Sequence, residues 1–276
     1  MTEPYRGRAK KAFGQHFLKD RGILARIVGA AGVAPGDRVL EVGPGPGYLT
    51  EELLRAGASV LAVEFDRDIC AYLEERFAGE SNFELIQSDA MKVDFTVLLS
   101  NKTEKLKLVS NPPYNITGPL VAKIIRERAA FSRVVLMLQK EVARRLTAGP
   151  GARASGALTI MLWLYYDVKR AFSVSAGSFS PPPDVDSTVV VFEPLSGPRV
   201  PVSDEAFFRE LVRKAFSTRR KTLSNALKGI NIHSGDLASA FDEAGIDPGR
   251  RAETLTLGEF SALAAALLGR KCGPSE

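Results

Sequence analysis

The sequence predicts an α/β fold, a mostly parallel sheet with helices on both faces, followed by a small all-α C-terminal domain. Three observations carry that prediction. Short apolar runs alternate with amphipathic stretches from Asp37 onward, one of those runs empties into a glycine-rich loop, and residues 204 to 270 hold no convincing strand. Buried parallel strands read as near-continuous apolar runs, whereas the helices between them carry apolar residues at helical spacing.

The N-terminal stretch MTEPYRGRAKKAFGQHFLKDR is basic, and residues 1–29 are predicted as a basic arm with a first helix. The domain at 30–195 then begins with the strand RVLEV and the helix YLTEELLRAG, which sets Leu49, Leu53 and Leu54 on one face. SVLAVEF and RDICAYLEERF repeat that pair. FELIQSDA and LKLVSN are further strands, PLVAKIIRER a helix and RVVLMLQ a strand. Repeated strand-helix pairs imply right-handed crossovers and a ligand at the carboxyl ends of the strands. DVKRAFSV and STVVVFEP bracket a Pro-rich loop and are predicted as an antiparallel pair closing the sheet edge. EPLSGPRVPVSD is a hinge into the helical domain at 196–276, where FFRELVRKAF, TLSNALKGI, GDLASAFDEAG and LGEFSALAAALLG carry only helical patterns.

With 276 residues, 45% of them hydrophobic, the chain can build one large or two modest cores. Thirty-seven Lys and Arg against 32 Asp and Glu leave a net charge of +5, a lean toward an anionic partner. Two cysteines, Cys70 and Cys272, lie far apart without metal-ligand spacing, so neither a disulfide framework nor a metal site is expected. No run approaches the roughly 18 apolar residues of a membrane span, and the N-terminus lacks the apolar stretch of a signal peptide. A cytoplasmic protein without membrane contact is expected, and nothing demands more than a monomer.

VLEVGPGPG is a strand running into Gly43-x-Gly45-x-Gly47 and then a helix. Glycines there allow a tight turn and close approach of a ligand to backbone amides, although a ligand-free turn has the same spacing. The loop holds no phosphate-binding lysine and departs from GxGxxG, which disfavours a pyrophosphate. Glu64 ends the next strand, where a carboxylate accepts from ribose hydroxyls, and Asp89 ends the third, where it can accept from an adenine amino group. A nucleoside without phosphate fits that set. S-adenosyl-L-methionine is such a ligand, and its positive charges suit Glu41.

Asn111-Pro112-Pro113-Tyr114-Asn115 closes the fourth strand on the same rim. An aromatic amine such as adenine N6 is a poor nucleophile because its lone pair is delocalised into the ring. The Asn111 side-chain oxygen and a backbone carbonyl near Pro112 can accept from both N–H groups and turn the lone pair toward an incoming methyl. Tyr114 offers a face for a base, and Phe179, in FSPPPDV, is the candidate for the opposite face. A rigid turn and an ordinary core aromatic are the plainer readings of these two stretches.

Taken together, these residues resemble the ribosomal small-subunit (16S) rRNA adenine N6,N6-dimethyltransferase family, within the S-adenosylmethionine-dependent, Rossmann-like methyltransferases. The likeness runs through FGQHFL, EVGPGPGYLT, SDAM, NPPYNI, QKEVARRL, FSPPPDVDS and AFSTRRKTLSNAL, nearly end to end. It implies that His16 and Leu18 close over the cofactor, that Gly43 contacts it through the backbone, and that Glu64 takes its ribose and Asp89 its adenine. Asn111 would bridge cofactor and target base. The implied reaction places two methyl groups on N6 of each of two adjacent adenosines near the 3′ end of the rRNA, in an immature small ribosomal subunit. Where the family usually has Leu this chain has Pro112, as many DNA amino-methyltransferases do, and proline keeps the carbonyl acceptor.

Arg213, Lys214, Arg219, Arg220 and Lys221 crowd one short region of the helical domain, and Arg6, Arg8, Lys10 and Lys11 form the basic arm at the other end. A solvated helix face is the plain reading of such a run, and phosphate neutralisation the functional one. Two other functions stay open: adenine methylation of large-subunit rRNA or DNA, and a non-catalytic RNA-binding assembly factor.

Overall fold

The computed structural model describes residues 16–99, 104–218, 220–230 and 234–270. In chain order it begins with β1 (Phe17–Leu18), α1 (Arg21–Ala31), β2 (Arg38–Val42), α2 (Tyr48–Arg55), β3 (Ser59–Glu64), α3 (Arg67–Arg76) and β4 (Phe83–Gln87). There follow β5 (Leu106–Ser110), α4 (Thr117–Arg126), β6 (Phe131–Gln139), α5 (Lys140–Thr147) and α6 (Ala157–Tyr165). β7 (Tyr166–Val174), β8 (Phe179–Ser180) and β9 (Ser187–Pro194) complete the strands, and α7 (Glu205–Ala215), α8 (Leu223–Ala226), α9 (Ser234–Glu243) and α10 (Leu257–Leu268) close the chain.

Seven strands form one sheet in the order β4-β3-β2-β5-β6-β9-β7. The pairs β2 with β3, β3 with β4, β2 with β5 and β5 with β6 are parallel, and β9 runs antiparallel to β6. β2 through β6 are the apolar runs of the sequence. β2, β3, β5 and β6 are buried over most of their length, whereas the edge strand β4 is not. The chain moves outward from β2 to β4 and returns beside β2 as β5. The carboxyl ends of β2 and β5 therefore bound the switch point of the topology, where an α/β sheet opens a crevice. Across it the Ser110 hydroxyl donates to the Val42 carbonyl at 2.5 Å, fastening the two strand ends together.

The predicted edge pair is found as β7 and β9, neighbours at the end of the sheet, with the antiparallel ladder of β9 made to β6. A second, two-stranded sheet joins β1 to β8 antiparallel, Leu18 opposite Phe179. This short ladder binds the segment before α1 to the Pro-rich loop. Leu18 and Phe179 then share a core with Leu24, Ile27, Leu49, Leu53 and Val109.

Two compact units divide the chain, one of residues up to 143 with 167–194, the other of 144–166 with 195–276. The predicted boundaries, 1–29, 30–195 and 196–276, differ from this in two places. Residues 16–29 belong with the sheet, and 144–166 belong with the helices. The second difference has a physical reason in α6, ALTIMLWLY, which is apolar nearly all round and packs on α7 and α10. Within the helical unit Trp163 Nε1 donates to the Leu146 carbonyl at 2.8 Å, and α10 starts with a capping box between Thr256 and Glu259. Among the described residues no helix is long and apolar enough to cross a membrane, and no cluster of His, Cys, Asp and Glu could hold a metal ion.

Candidate active site

A cavity of about 390 Å³ opens at the switch point, within the roughly 300–1,000 Å³ of small-molecule sites. Its lining includes His16, Leu18, Glu41, Gly43, Gly45, Glu64, Asp89, Asn111, Pro112 and Tyr114, so ten of the predicted residues, from five stretches of chain, meet in one place.

The floor is the glycine loop. Gly43 has a φ of +67°, and a Cβ there would lie 2.8 Å from Cδ of Pro113, so the loop and the Asn111–Asn115 turn approach as closely as backbones allow. Gly47, predicted to contact a ligand, does not line the cavity. It is the N-cap of α2 with φ +80°, and a Cβ would strike Phe77 at 2.7 Å and Leu73 at 2.9 Å. Its task is to let α2 turn against α3. Arg76 on α3 braces the same loop, donating to the Pro46 carbonyl and pairing with Glu51 at 2.6 Å.

Glu64 stands at the end of β3 with Oε1 accepting from the amides of Phe65 at 2.8 Å and Asp66 at 2.9 Å. Among the described residues, Oε2 receives only a long contact, 3.4 Å, from the Gly45 amide. One oxygen anchors the carboxylate and the other keeps accepting capacity toward the cavity. Burial raises the pKa of Glu64, opposed by these backbone hydrogen bonds. Asp89 is built alike: Oδ1 accepts from the Met91 amide at 2.9 Å, and among the described residues Oδ2 meets no donor.

Glu41 is almost fully buried, and Thr50 Oγ1 donates to its Oε2 at 2.7 Å. Desolvation, with a smaller push from Glu64, raises its pKa to about 8, so the carboxyl is largely protonated at neutral pH. The sequence predicts an anion at this position; burial keeps it mostly neutral in the free protein. The folded state holds a proton there between about 4.5 and about 8, where the unfolded chain has released it. Its contribution to stability is complete below the unfolded value and is lost as pH rises through the folded one. Glu41→Gln is therefore expected to flatten the fall in melting temperature between about pH 5 and 8, read by calorimetry of the ligand-free protein. Glu64, shifted in the same direction, leaves part of the slope. Identical slopes in both proteins would contradict the protonation of Glu41.

On the opposite wall Asn111 Nδ2 donates to the His16 carbonyl at 3.4 Å. That bond orients the amide with Oδ1 away from His16, and among the described residues no donor meets Oδ1 or the Pro112 carbonyl. Two acceptors are thus left open side by side. Tyr114 follows on a single 3-10 turn, its hydroxyl 2.8 Å from Ser187 Oγ. The His16 ring stacks on Tyr114 with centroids 5.5 Å apart and planes at 28°, while its Nδ1 lies 2.9 Å from the Pro181 carbonyl. Phe179, predicted as the second stacking face, is elsewhere: it is 4% exposed, in the core beside Leu18, and absent from the cavity wall. The β1–β8 ladder puts it there, and the ring that lies against Tyr114 is the His16 imidazole.

Thr50, Ser110 and Ser187, which hold Glu41, the switch point and Tyr114, carry no sequence signal of their own. A small hydroxyl residue reveals its partner only once strands are paired. Of the predicted basic residues, Arg213 and Lys214 end α7, and Arg220 and Lys221 are exposed just before α8. Arg209 and Arg213, four residues apart, share a helix face, although Arg209 also pairs with Glu205 at 3.4 Å. Arg6, Arg8, Lys10, Lys11 and Arg219 lie outside the described residues.

The sequence profile of the family described as ribosomal RNA adenine dimethylase matches residues 6–267. A Geobacter metallireducens protein named ribosomal RNA small subunit methyltransferase A is 47% identical over 264 residues, covering 95% of this chain and 96% of its own. Among solved structures, a dimethyladenosine transferase from Plasmodium falciparum superposes with a TM-score of 0.77 at 28% identity, covering 93% of this chain and 99% of its own. The 23S rRNA methyltransferase ErmE gives 0.69 at 25% identity, over 91% and 99%.

Proposed function

The chain belongs to the ribosomal RNA adenine dimethylase family, and on that footing we propose that it places two methyl groups on N6 of each of two adjacent adenosines near the 3′ end of small-subunit (16S) rRNA. The observation that carries this reading is the pair of open acceptors, Asn111 Oδ1 and the Pro112 carbonyl, beside Tyr114 on the cavity that Glu64 and Asp89 also line. Two acceptors match the two N–H groups of an unmethylated adenine amino group.

S-adenosyl-L-methionine, when bound, supplies an electrophilic methyl group on a sulfonium. The residues present fit it. Gly43 puts bare backbone on the cavity wall, Glu64 Oε2 is open to ribose hydroxyls, and Asp89 Oδ2 is open to the adenine amino group. His16 and Leu18 close the cavity from the N-terminal side. Glu41, neutral in the free protein, is drawn toward its ionised form by a cationic neighbour.

Asn111 and Pro112 accept from the amino group, holding its nitrogen lone pair out of conjugation and aimed at the methyl donor. Tyr114 stacks the unstacked base. A base that takes the face now covered by His16 replaces the imidazole. After transfer the nitrogen carries a positive charge, and its proton is acidic enough to leave to water without a strong base.

The substrate is RNA in an immature small subunit in the cytoplasm, met by the protein as a monomer, with Arg213, Lys214, Arg220 and Lys221, together with Arg219 and the basic arm, neutralising phosphates. Replacing Arg219, Arg220 and Lys221 by alanine is expected to weaken RNA binding and to lower the slope of log K against log salt by up to about 2–3. A wild-type slope in a filter-binding titration would remove this segment from the footprint. One observation favours a second reading: the likeness to a 23S rRNA methyltransferase, to which Pro112 adds DNA. Labelled methyl donor offered with undermethylated small subunits, protein-free large-subunit rRNA and duplex DNA separates them. Label is expected in the small subunits; label in either competitor alone would overturn the substrate assignment.

A further inference from the structure

We propose that Ser187 is a positioning residue for methyl transfer: its hydroxyl, at the start of β9, fixes the plane of the Tyr114 ring on which the target base stacks. The inference rests on the reading of Tyr114 as that platform.

Tyr114 lies on a short turn between β5 and α4, not on the sheet itself. It begins a 3-10 turn of three residues after Pro113, and its ring is in contact with His16 on one face. When an incoming base takes the place of the imidazole, that contact is gone at the moment the ring must be still. Among the described residues, the side-chain hydrogen bond that holds the ring is then at its hydroxyl, 2.8 Å from Ser187 Oγ.

Ser187, by contrast, does not move with the loop. It is fully buried and lies opposite Gln139 in the antiparallel β6–β9 ladder. The residue before it is pinned twice, the Asp186 carbonyl by the Lys140 amide at 2.9 Å and Asp186 Oδ1 by the Ala176 amide at 3.1 Å. A fully buried hydroxyl is costly unless it is bonded, and here the bond goes to Tyr114. Burial raises the Tyr114 pKa, with the Ser187 hydrogen bond opposing the rise, so the phenol is neutral in the working range. The bond is a link between two hydroxyls, one on the sheet and one on the turn that carries the platform.

The test is a double-mutant cycle in the full chain, with single-turnover methyl transfer to undermethylated small subunits, cofactor binding and melting temperature read together. Ser187→Ala and Tyr114→Phe are each expected to slow transfer about tenfold with cofactor affinity near wild type, and Tyr114→Phe, which strands the buried Ser187 hydroxyl, to lower the melting temperature as well. The double variant is expected to be no slower than either single one, because both remove the same bond. Ser187→Thr should restore the rate, and the Tyr114 phenol should titrate at higher pH in Ser187→Ala, measured by ultraviolet difference absorption. A wild-type rate in Ser187→Ala, or additive losses in the double variant, would overturn the proposal. Tyr114→Ala separates the two levels. Wild-type transfer in that variant would sink the platform itself, whereas a large loss there beside an inert Ser187→Ala would sink the anchor alone.

Discussion

Asn111→Ala is expected to lower the rate of methyl transfer about 100- to 1,000-fold while the cofactor dissociation constant stays within about threefold of wild type. The side chain stands just beyond the end of β5, its Nδ2 turned to the His16 carbonyl and its Oδ1 left open on the cavity. Alanine removes one of two acceptors for the amino group, so the lone pair falls back into conjugation with the ring and the nucleophile is lost rather than the binding site. Asp at this position keeps an acceptor and should retain more activity than alanine. Single-turnover transfer and calorimetric binding, run side by side, give both numbers. A wild-type rate in Asn111→Ala would remove this residue from the chemistry. A loss confined to cofactor affinity would make it a binding residue only.

Glu64→Ala is expected to do the reverse, raising the cofactor dissociation constant about 100-fold and leaving the rate at saturation close to wild type. Hydrogen bonds to a charged group contribute about 1.5–3 kcal/mol each, and a tenfold change in affinity corresponds to about 1.4 kcal/mol. Losing a carboxylate that serves two ribose hydroxyls therefore costs about two decades. The same substitution strands the amides of Phe65 and Asp66, which now donate to Oε1, so melting temperature should fall as well. Glu64→Gln keeps an acceptor for one of them and should weaken binding by nearer tenfold. Unchanged affinity in Glu64→Ala would take the ribose away from this side chain.

Much of the fold was legible because the local signals agreed with one another. RVLEV, SVLAVEF, LKLVSN and RVVLMLQ are all strands close to their predicted limits, since a strand buried on both faces has no other way to be written. Repeated strand-helix pairs placed the ligand at the carboxyl ends of the strands, and Gly43, Glu64, Asp89 and Asn111 do meet at that rim. What sequence could not supply were the long-range contacts. Phe179 is drawn into the core by two residue pairs between β1 and β8, with Phe179 opposite Leu18, 161 positions earlier, and no local pattern announces so short a ladder. Gly47 was read as a ligand contact because its spacing matches Gly43 and Gly45, yet its left-handed backbone serves the packing of α2 on Phe77. The segment ALTIMLWLY is plainly buried from composition, but composition does not tell which of two units buries it.

Glu41 shows the same limit in electrostatics. Its acidity was read from residue type, whereas its protonation depends on burial and on Thr50 and Glu64, none of which is a neighbour in sequence. Ser110 and Ser187 are further cases, ordinary serines until strand pairing brings Val42 and Tyr114 within reach.

Dimethylation of 16S rRNA is tested by mass spectrometry of the 3′ end of small-subunit rRNA after undermethylated subunits are incubated with the protein and S-adenosyl-L-methionine. Two adjacent adenosines, each carrying two added methyl groups, are the predicted result. An unmodified 3′ end in a reaction that consumes the cofactor and methylates another nucleic acid would contradict the account.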